Sequence, residues 1–301
     1  MQKTLISIIG STGIGKTKLA IEMAKHIGTE IISCDSRQFF KEMKIGTATP
    51  TDEELAQAKH HFIGHLSVQD YYSIGQYEED ALEKIEEIFE KNDFAVLVGG
   101  SMMYEKAVVE GLNDLPEANA ENQEKLQKIL DEEGLEKLQE ILKNLDEEYY
   151  NVVHKENPRR LLRAIDVIWQ TGRKYSEIIA EPKHKRDFKV IRIGITAPRE
   201  IMYERINLRV DKMLEKGLID EVKSLTKYQN LVPLQTVGYT EIFKYLEGTW
   251  DLDFAIEEIK KNSRRYAKRQ ETWNRKVENV TWLPYDYSEE QLHEILSKIE
   301  K

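Results

Sequence analysis

The residues that first suggest chemistry are Gly10-Ser11-Thr12-Gly13-Ile14-Gly15-Lys16-Thr17, which fit the pattern G-x-x-x-x-G-K-[ST] and directly follow an apolar run at 5–9. Glycines at these spacings let backbone N–H groups turn inward around an anion, and a following helix adds the positive end of its dipole. Lys16 brings a mobile charge and Thr17 a hydroxyl for Mg²⁺, so the expected ligand is a diphosphate or triphosphate. Taken alone, this loop suggests ATP binding and phosphoryl transfer. Asp35, in Cys34-Asp35-Ser36-Arg37-Gln38, has two readings: a Mg²⁺-associated or helix-capping carboxylate, or a general base. Gly99-Gly100-Ser101 stands where a phosphate-loop ATPase usually places a Mg²⁺-holding aspartate, which weakens that reading while permitting close approach of a substrate. Arg209 is a further cation that could reach the loop.

The elements around these residues read as α/β. Leu5, Ile6, Ile8 and Ile9 suit a buried parallel strand, and Leu19, Ala20, Met23, Ala24 and Ile27 recur at helical spacing up to Gly28. Further strands are expected at 30–33, 94–98, 190–196 and 280–283, with helices at 74–90, after Pro198, after Asp251 and at 289–300. Residues 30–33 and 94–98 would deliver Asp35 and Ser101 to the carboxyl end of the sheet, where open parallel sheets hold ligands. From about Asn113 the composition turns acidic and helical with no strand signal, interrupted at Gly134. The expected organisation is therefore a phosphate-loop NTPase-like parallel sheet flanked by helices, with an inserted all-helical domain. The first part of the core runs over 1–112, the insertion over 113–189, and the core is completed over 190–301.

The chain has 301 residues, 40% of them hydrophobic, which is enough for a sizeable core. Its 54 acidic and 44 basic residues give a net charge of −10, which argues against a protein that coats nucleic acid wholesale but not against local basic patches. The single cysteine, Cys34, excludes an intrachain disulfide and a cysteine-cluster zinc site. The apolar part of 1–10 is too short for a signal peptide and no run spans a membrane, so a cytoplasmic location is expected.

Two basic clusters stand out. Asn157 should cap a helix opened by Pro158, with Arg159, Arg160 and Arg163 on it and Leu161, Leu162, Ile165 and Ile168 able to face the core. Those arginines could pair with Glu156 and Asp166 or follow a phosphate backbone. The helix after Asp251 interleaves Lys260, Lys261, Arg264, Arg265, Lys268, Arg269, Arg275 and Lys276 with Tyr266 and Trp273, which reads as a nucleic-acid surface or as a solvated face. His60, His61 and His65 invite a metal, but adjacent histidines point different ways and no carboxylate completes a ligand set.

Taken in order, the phosphate loop, Asp35-Ser36-Arg37-Gln38, Gly46-Thr47-Ala48, His60-His61, Gly99-Gly100-Ser101, 160–164, Gly217-Leu218, Gly238-Tyr239 and Arg265-Tyr266-Ala267-Lys268-Arg269-Gln270-Glu271-Thr272-Trp273 resemble the tRNA dimethylallyltransferases, the tRNA isopentenyltransferase or IPP transferase family. The resemblance covers most of the chain. It implies transfer of a dimethylallyl group from dimethylallyl diphosphate to N6 of the adenine 3′-adjacent to the anticodon, in tRNAs that read codons beginning with U. It further implies that Gly10 to Thr17 bind the diphosphate with Mg²⁺ at Thr17, that Asp35 is the base near N6, and that Ser101 stands at the reaction centre. Lys16 and Arg209 would stabilise the departing diphosphate. Contacts to tRNA would come from Asp35, Ser36, Arg37, Gln38, Ser101, Gln123, Arg159, Arg160, Leu161, Leu162 and Arg163, and the insertion would grip the anticodon stem-loop. The expected assembly is a monomer.

The chain departs from the family pattern in places. Ser101 stands for the usual Thr, Met102-Met103 for Gly-Leu, and Ser11, Gly13 and Ile14 for Pro, Ala and Ser, while Gln123 occupies the place of a basic tRNA-contacting residue. The alternatives are an adenylate isopentenyltransferase acting on free nucleotide, a phosphate-loop small-molecule kinase, and an RNA-binding protein that uses nucleotide only as a ligand.

Overall fold

A computed structural model describes residues 2–299. The chain divides into two compact units, one made of 2–109 with 186–299 and the other of 110–185. The crossings fall a few residues before the composition-based limits of 113 and 189.

The first unit opens with β1 (Thr4–Gly10), α1 (Lys16–Ile27), β2 (Ile31–Ser33), α2 (Asp52–Leu55), β3 (His60–His61), α3 (Ile74–Phe89), β4 (Phe94–Val98) and α4 (Met102–Glu110). The second unit is all helical: α5 (Ala120–Glu133), α6 (Leu135–Leu145), α7 (Glu147–Val152), α8 (Pro158–Thr171) and α9 (Tyr175–Ala180). The first unit resumes with β5 (Lys189–Thr196), α10 (Arg199–Glu215), α11 (Leu218–Ser224), α12 (Tyr239–Leu246), α13 (Leu252–Asn274), β6 (Val280–Pro284) and α14 (Glu289–Ile299). Glu300, the expected end of the last helix, lies outside the described residues.

Six strands form one sheet in the order β3-β2-β4-β1-β5-β6, and every pairing is parallel. Strand residues alternate between faces. Leu5, Ile32 and Leu97 therefore join the layer of α3, α11 and α12, while Ile6, Ile8, Ile31, Val96 and Val98 meet α1 and α14. Burial on both faces is why these strands read as unbroken apolar runs. Because the strands share one direction, the loops after β1, β2 and β4 gather at one edge of the sheet.

Strand β3 has no counterpart in the sequence reading. Two histidines carry neither a β-branched run nor an alternating pattern, and their pairing with Ile31 and Ile32 of β2 is set by tertiary packing. The three histidines make separate contacts. His61 Nε2 meets Glu30 Oε2 at 2.5 Å, His60 Nδ1 meets Ala58 O at 2.8 Å, and the His65 ring packs edge-on against Phe39, Phe62 and Tyr72. Among the described residues no group of three His, Cys, Asp or Glu side chains is placed to hold a metal.

In the helical unit, Leu126, Leu138, Leu142, Leu161, Leu162, Ile165 and Ile168 make the core. Asn157 caps α8 through the Arg160 amide, with Pro158 in the first turn, and Gly172 closes the helix in the left-handed conformation. No described helix is long and apolar enough to cross a membrane.

Candidate functional site

The loop between β1 and α1 is shaped by its glycines. Gly10, Gly13 and Gly15 have φ of 149°, 75° and 113°, a region that side chains disfavour. A Cβ at Gly10 would also stand 2.9 Å from Ile195 O of the neighbouring strand. Ile14 turns its side chain into the core at 2% exposure, so only its backbone can serve a bound anion. The amides that open α1 at Lys16 and Thr17 have no intrahelical acceptor, an arrangement that suits an anion at this end of the helix.

Lys16 is nearly buried and its Nζ donates to Ser11 O at 2.9 Å. Burial lowers its pKa to about 8; Asp35 opposes that shift and Arg209 adds to it. Burial likewise lowers the Arg209 guanidinium, with Asp35 again opposing, and its Nη2 donates to Thr47 O at 3.0 Å. Two desolvated cations thus face a single carboxylate, an arrangement that favours an added anion. Arg205, one turn earlier on α10, donates from Nε to Gly13 O at 3.0 Å.

Asp35 sits past the end of β2 in a turn held by its own side chain, with Arg37 N donating to Oδ1 at 3.1 Å and Gln38 N to Asp35 O at 3.0 Å. Ser36 N donates to Ser101 Oγ at 3.0 Å and the two hydroxyls lie 2.8 Å apart, so Ser101 is tied to the Asp35 turn. Arg37 Nη1 donates to Val232 O and Pro233 O, and Gln38 Nε2 to Thr47 O and Ala48 O.

The glycines after β4 have a physical cause. A Cβ at Gly99 would lie 2.4 Å from Cys34 C and 2.6 Å from Asp35 N, and one at Gly100 would lie 2.7 Å from Asp35 Oδ2. Any side chain there would push the aspartate turn away. The position that an ATPase gives to a metal-binding acid is here kept empty so that Asp35 can approach.

Three cavities meet at Arg209. One of about 330 Å³ is lined by Lys16, Thr17, Ser33, Asp35, Gln38 and Arg209. A second, about 530 Å³, has Asp35, Ser36, Ser101 and Glu241 on its polar side and Ile206, Val210 and Ile259 on its apolar side. A third, about 830 Å³, lies towards Lys41, Lys44, Arg205, Lys212 and Lys216. Asp35 borders the first two, so one carboxylate faces both the anion cradle and a cavity large enough for a flat base or a short apolar chain.

The remaining candidates lie in the helical unit. Arg159 and Arg160 are exposed on α8, whereas Arg163 donates to Asp166 at 3.2 Å and to Pro116 O at 2.5 Å. Leu161 and Leu162 belong to the core, at 0% and 9% exposure, so their side chains are not available to an RNA. They stand beside the exposed Arg159 and Arg160 because helical periodicity turns neighbouring positions to different faces. Gln123 is half-buried on α5, beside the Asn122 that bonds Asp166.

Sequence reasoning gave no role to Arg205, and it gave Tyr266 and Gln270 none inside the site. Tyr266 Oη and Gln270 Nε2 both donate to Gly100 O at 2.8 Å, and Thr12 N donates to Gln270 Oε1 at 2.7 Å. Their spacing of four places both on one face of α13, a signal hidden by the run of charges around them.

The fold and site define a protein with a phosphate-loop-like sheet in which the glycine loop after β1 and the Asp35 carboxylate border the same cavity. The IPP transferase family model matches residues 38–277. A tRNA dimethylallyltransferase of Christiangramia forsetii is 49% identical over 300 residues, 99% of each chain. Among solved structures, the full-length tRNA isopentenylpyrophosphate transferase of Bacillus halodurans is 36% identical with a TM-score of 0.73, covering 99% of this chain and 96% of that one. A eukaryotic dimethylallyltransferase acting on tRNA superposes with a TM-score of 0.83 at 25% identity, over 99% of this chain and 77% of that one. This chain belongs to the IPP transferase family.

Proposed function

We propose that the protein is a tRNA dimethylallyltransferase that moves the dimethylallyl group of dimethylallyl diphosphate onto N6 of the adenine 3′-adjacent to the anticodon, in tRNAs reading codons that begin with U. The observation that carries the reading is Asp35, held between the Lys16–Arg209 cradle and the 530 Å³ cavity by the close approach of Gly99 and Gly100. A kinase would use the same loop and a base of its own, but phosphate-loop enzymes usually hold Mg²⁺ on an acid at the end of such a strand as β4, where this chain has Gly99 and Gly100.

The chemistry follows from the geometry. An exocyclic amine is a poor nucleophile, so Asp35 accepts its proton as the nitrogen attacks the first carbon of the allyl chain. The carbon–oxygen bond breaks and diphosphate leaves with the bonding electrons. Lys16, Arg209 and the amides that open α1 stabilise the negative charge growing on it. Ser101 holds the Asp35 turn through Ser36. The adenine must leave the anticodon stack, at a cost of a few kcal/mol offset by stacking and hydrogen bonds in the pocket.

The donors around the smaller cavity fit Mg²⁺. Thr17 and Ser33 hydroxyls and the Asp35 carboxylate are hard oxygen ligands, and Mg²⁺ is usually held by few protein groups plus phosphate oxygens and water. Thr17 would hold it against the diphosphate, where the ion supplies charge neutralisation of the leaving group.

Affinity for the RNA would come from two basic surfaces, each read within its own unit. Arg159 and Arg160 provide one. On α13, Lys260 pairs with Asp211 and Lys261 with Glu258, but Arg265, Lys268 and Arg269, with Lys276 just past the helix end, remain exposed around Trp273 and a shallow hollow. A cytoplasmic monomer is the setting we propose.

Incubation with an unmodified anticodon stem-loop, Mg²⁺ and dimethylallyl diphosphate, followed by mass spectrometry of the digested RNA, tests the reading. N6-(dimethylallyl)adenosine is expected. Prenylated AMP without modified stem-loop would make the protein a free-nucleotide enzyme, and a phosphorylated product would make it a kinase.

A further inference from the structure

The carboxamide of Gln270 lines none of the three cavities that meet at Arg209, yet it is 1% exposed and bonded at both ends. Its oxygen accepts from Thr12 N at 2.7 Å, inside the phosphate loop after β1. Its nitrogen donates to Gly100 O at 2.8 Å, in the loop after β4 that carries Ser101 and abuts Asp35. These two loops hold opposite ends of the reaction, since the first grips the leaving group and the second backs the base.

We propose that Gln270 is a positioning residue that fixes the distance between the leaving-group cradle and the Asp35–Ser101 side of the site. The inference rests on the transfer reading given above. Displacement at carbon needs nitrogen, carbon and leaving oxygen close to one line, and a misplacement of about 1 Å can cost about 10²-fold in rate. Gly100 transmits the constraint on the base side. A Cβ added at Gly100 would lie 2.7 Å from Asp35 Oδ2 and 3.6 Å from Gln270 Nε2, so only glycine lets this backbone come so close to both side chains. Tyr266 Oη, one turn earlier on α13, donates to the same carbonyl at 2.8 Å and fixes its direction.

The bridge needs a group that accepts at one end and donates at the other, and a carboxamide at this length does both. Glutamate keeps the acceptor for Thr12 but sets a carboxylate oxygen against Gly100 O unless it is protonated. Burial favours that protonated form, so Gln270→Glu should regain the bridge as pH falls. Methionine keeps the volume and offers neither bond.

The test uses the full chain with anticodon stem-loop, Mg²⁺ and dimethylallyl diphosphate in single-turnover experiments at saturation, with inorganic pyrophosphate as the binding probe. For Gln270→Met the transfer rate should fall about 10²-fold, while pyrophosphate and stem-loop Kd stay within about threefold of wild type, or about 0.7 kcal/mol. Gln270→Glu should show the same loss at pH 8 and a partial recovery, relative to wild type, at pH 6. Tyr266→Phe, which removes one donor and leaves the bridge, should lose less. A wild-type rate in Gln270→Glu at both pH values, or a loss carried entirely by weaker pyrophosphate or RNA binding, overturns the proposal. If Gln270→Met does not fold, Gln270→Glu and Tyr266→Phe decide it by their rates. A wild-type protein that transfers nothing removes the transfer reading itself, whereas an active wild type with unimpaired Gln270 variants removes only the positioning role.

Discussion

Asp166 in the helical unit and Asp35 beside the phosphate loop both carry buried or half-buried charge near arginines and lie near chain segments the family resemblance singled out, but their surroundings are built differently. Asp166 is fully buried, and its oxygens accept from Asn122 Nδ2 at 3.0 Å, Gln170 Nε2 at 3.0 Å and Arg163 Nη1 at 3.2 Å. That network is closed, and its work is to hold α5 against α8. Asp35 accepts one backbone N–H from Arg37 and stands before two buried cations whose own pKa values are lowered by desolvation. The lesson is that a satisfied buried charge fixes structure, while a positively biased and incompletely satisfied one is ready for a ligand.

The sharpest way to break the comparison is to neutralise each aspartate. Asp35→Asn should lower kcat by about 10²- to 10⁴-fold, the usual contribution of a general base, with pyrophosphate binding largely retained. Steady-state kinetics beside pyrophosphate titration reads both; an active Asp35→Asn would return this residue to a merely structural role. Asp166→Ala should leave kcat near wild type and cost about 1–3 kcal/mol of stability, because Asn122 and Gln170 would lose their buried acceptor, while the one-third exposed Arg163 can turn to water. Denaturant melts measure that loss, and an unaltered midpoint would sink the idea of a closed structural network.

A smaller effect comes from pH. The folded Lys16 titrates at about 8, below its ordinary 10.5, so the folded protein binds fewer protons than the unfolded chain between those values. Burying charged Lys16 therefore costs stability below about pH 8, and the cost is relieved as pH rises towards 10.5. The stability difference between wild type and Lys16→Met should shrink across that window. Function runs the opposite way: kcat/KM for dimethylallyl diphosphate should fall above about pH 8 as the free enzyme loses the cation. Lys16→Arg should remove that limb, and a limb that persists in this variant would assign it elsewhere.

The smallest effects are expected at the exposed arginines. Arg159→Ala and Arg160→Ala should each weaken stem-loop binding and reduce the slope of log K against log salt by about one, without changing single-turnover rate at saturation. Leu161 and Leu162, core residues of the same helix, should instead change the melting midpoint when truncated.

Local signals made much of this molecule readable. The glycine spacing of 10–15 dictated the loop, the unbroken apolar runs dictated buried parallel strands, and Asn157-Pro158 with Gly172 bounded α8, because turns, strands and caps are set by residues adjacent in sequence. Asp35 was recognisable as chemically poised because it follows a strand whose end faces the crevice. What only the tertiary structure decided are the contacts between distant segments. The pairing of His60–His61 beside β2, the need for glycine at 99 and 100 against Cys34 and Asp35, and the Gln270 bridge from α13 to two loops leave no periodic trace. Each depends on how closely two remote backbones approach, and that distance is fixed by packing of the whole core rather than by any residue's own preference.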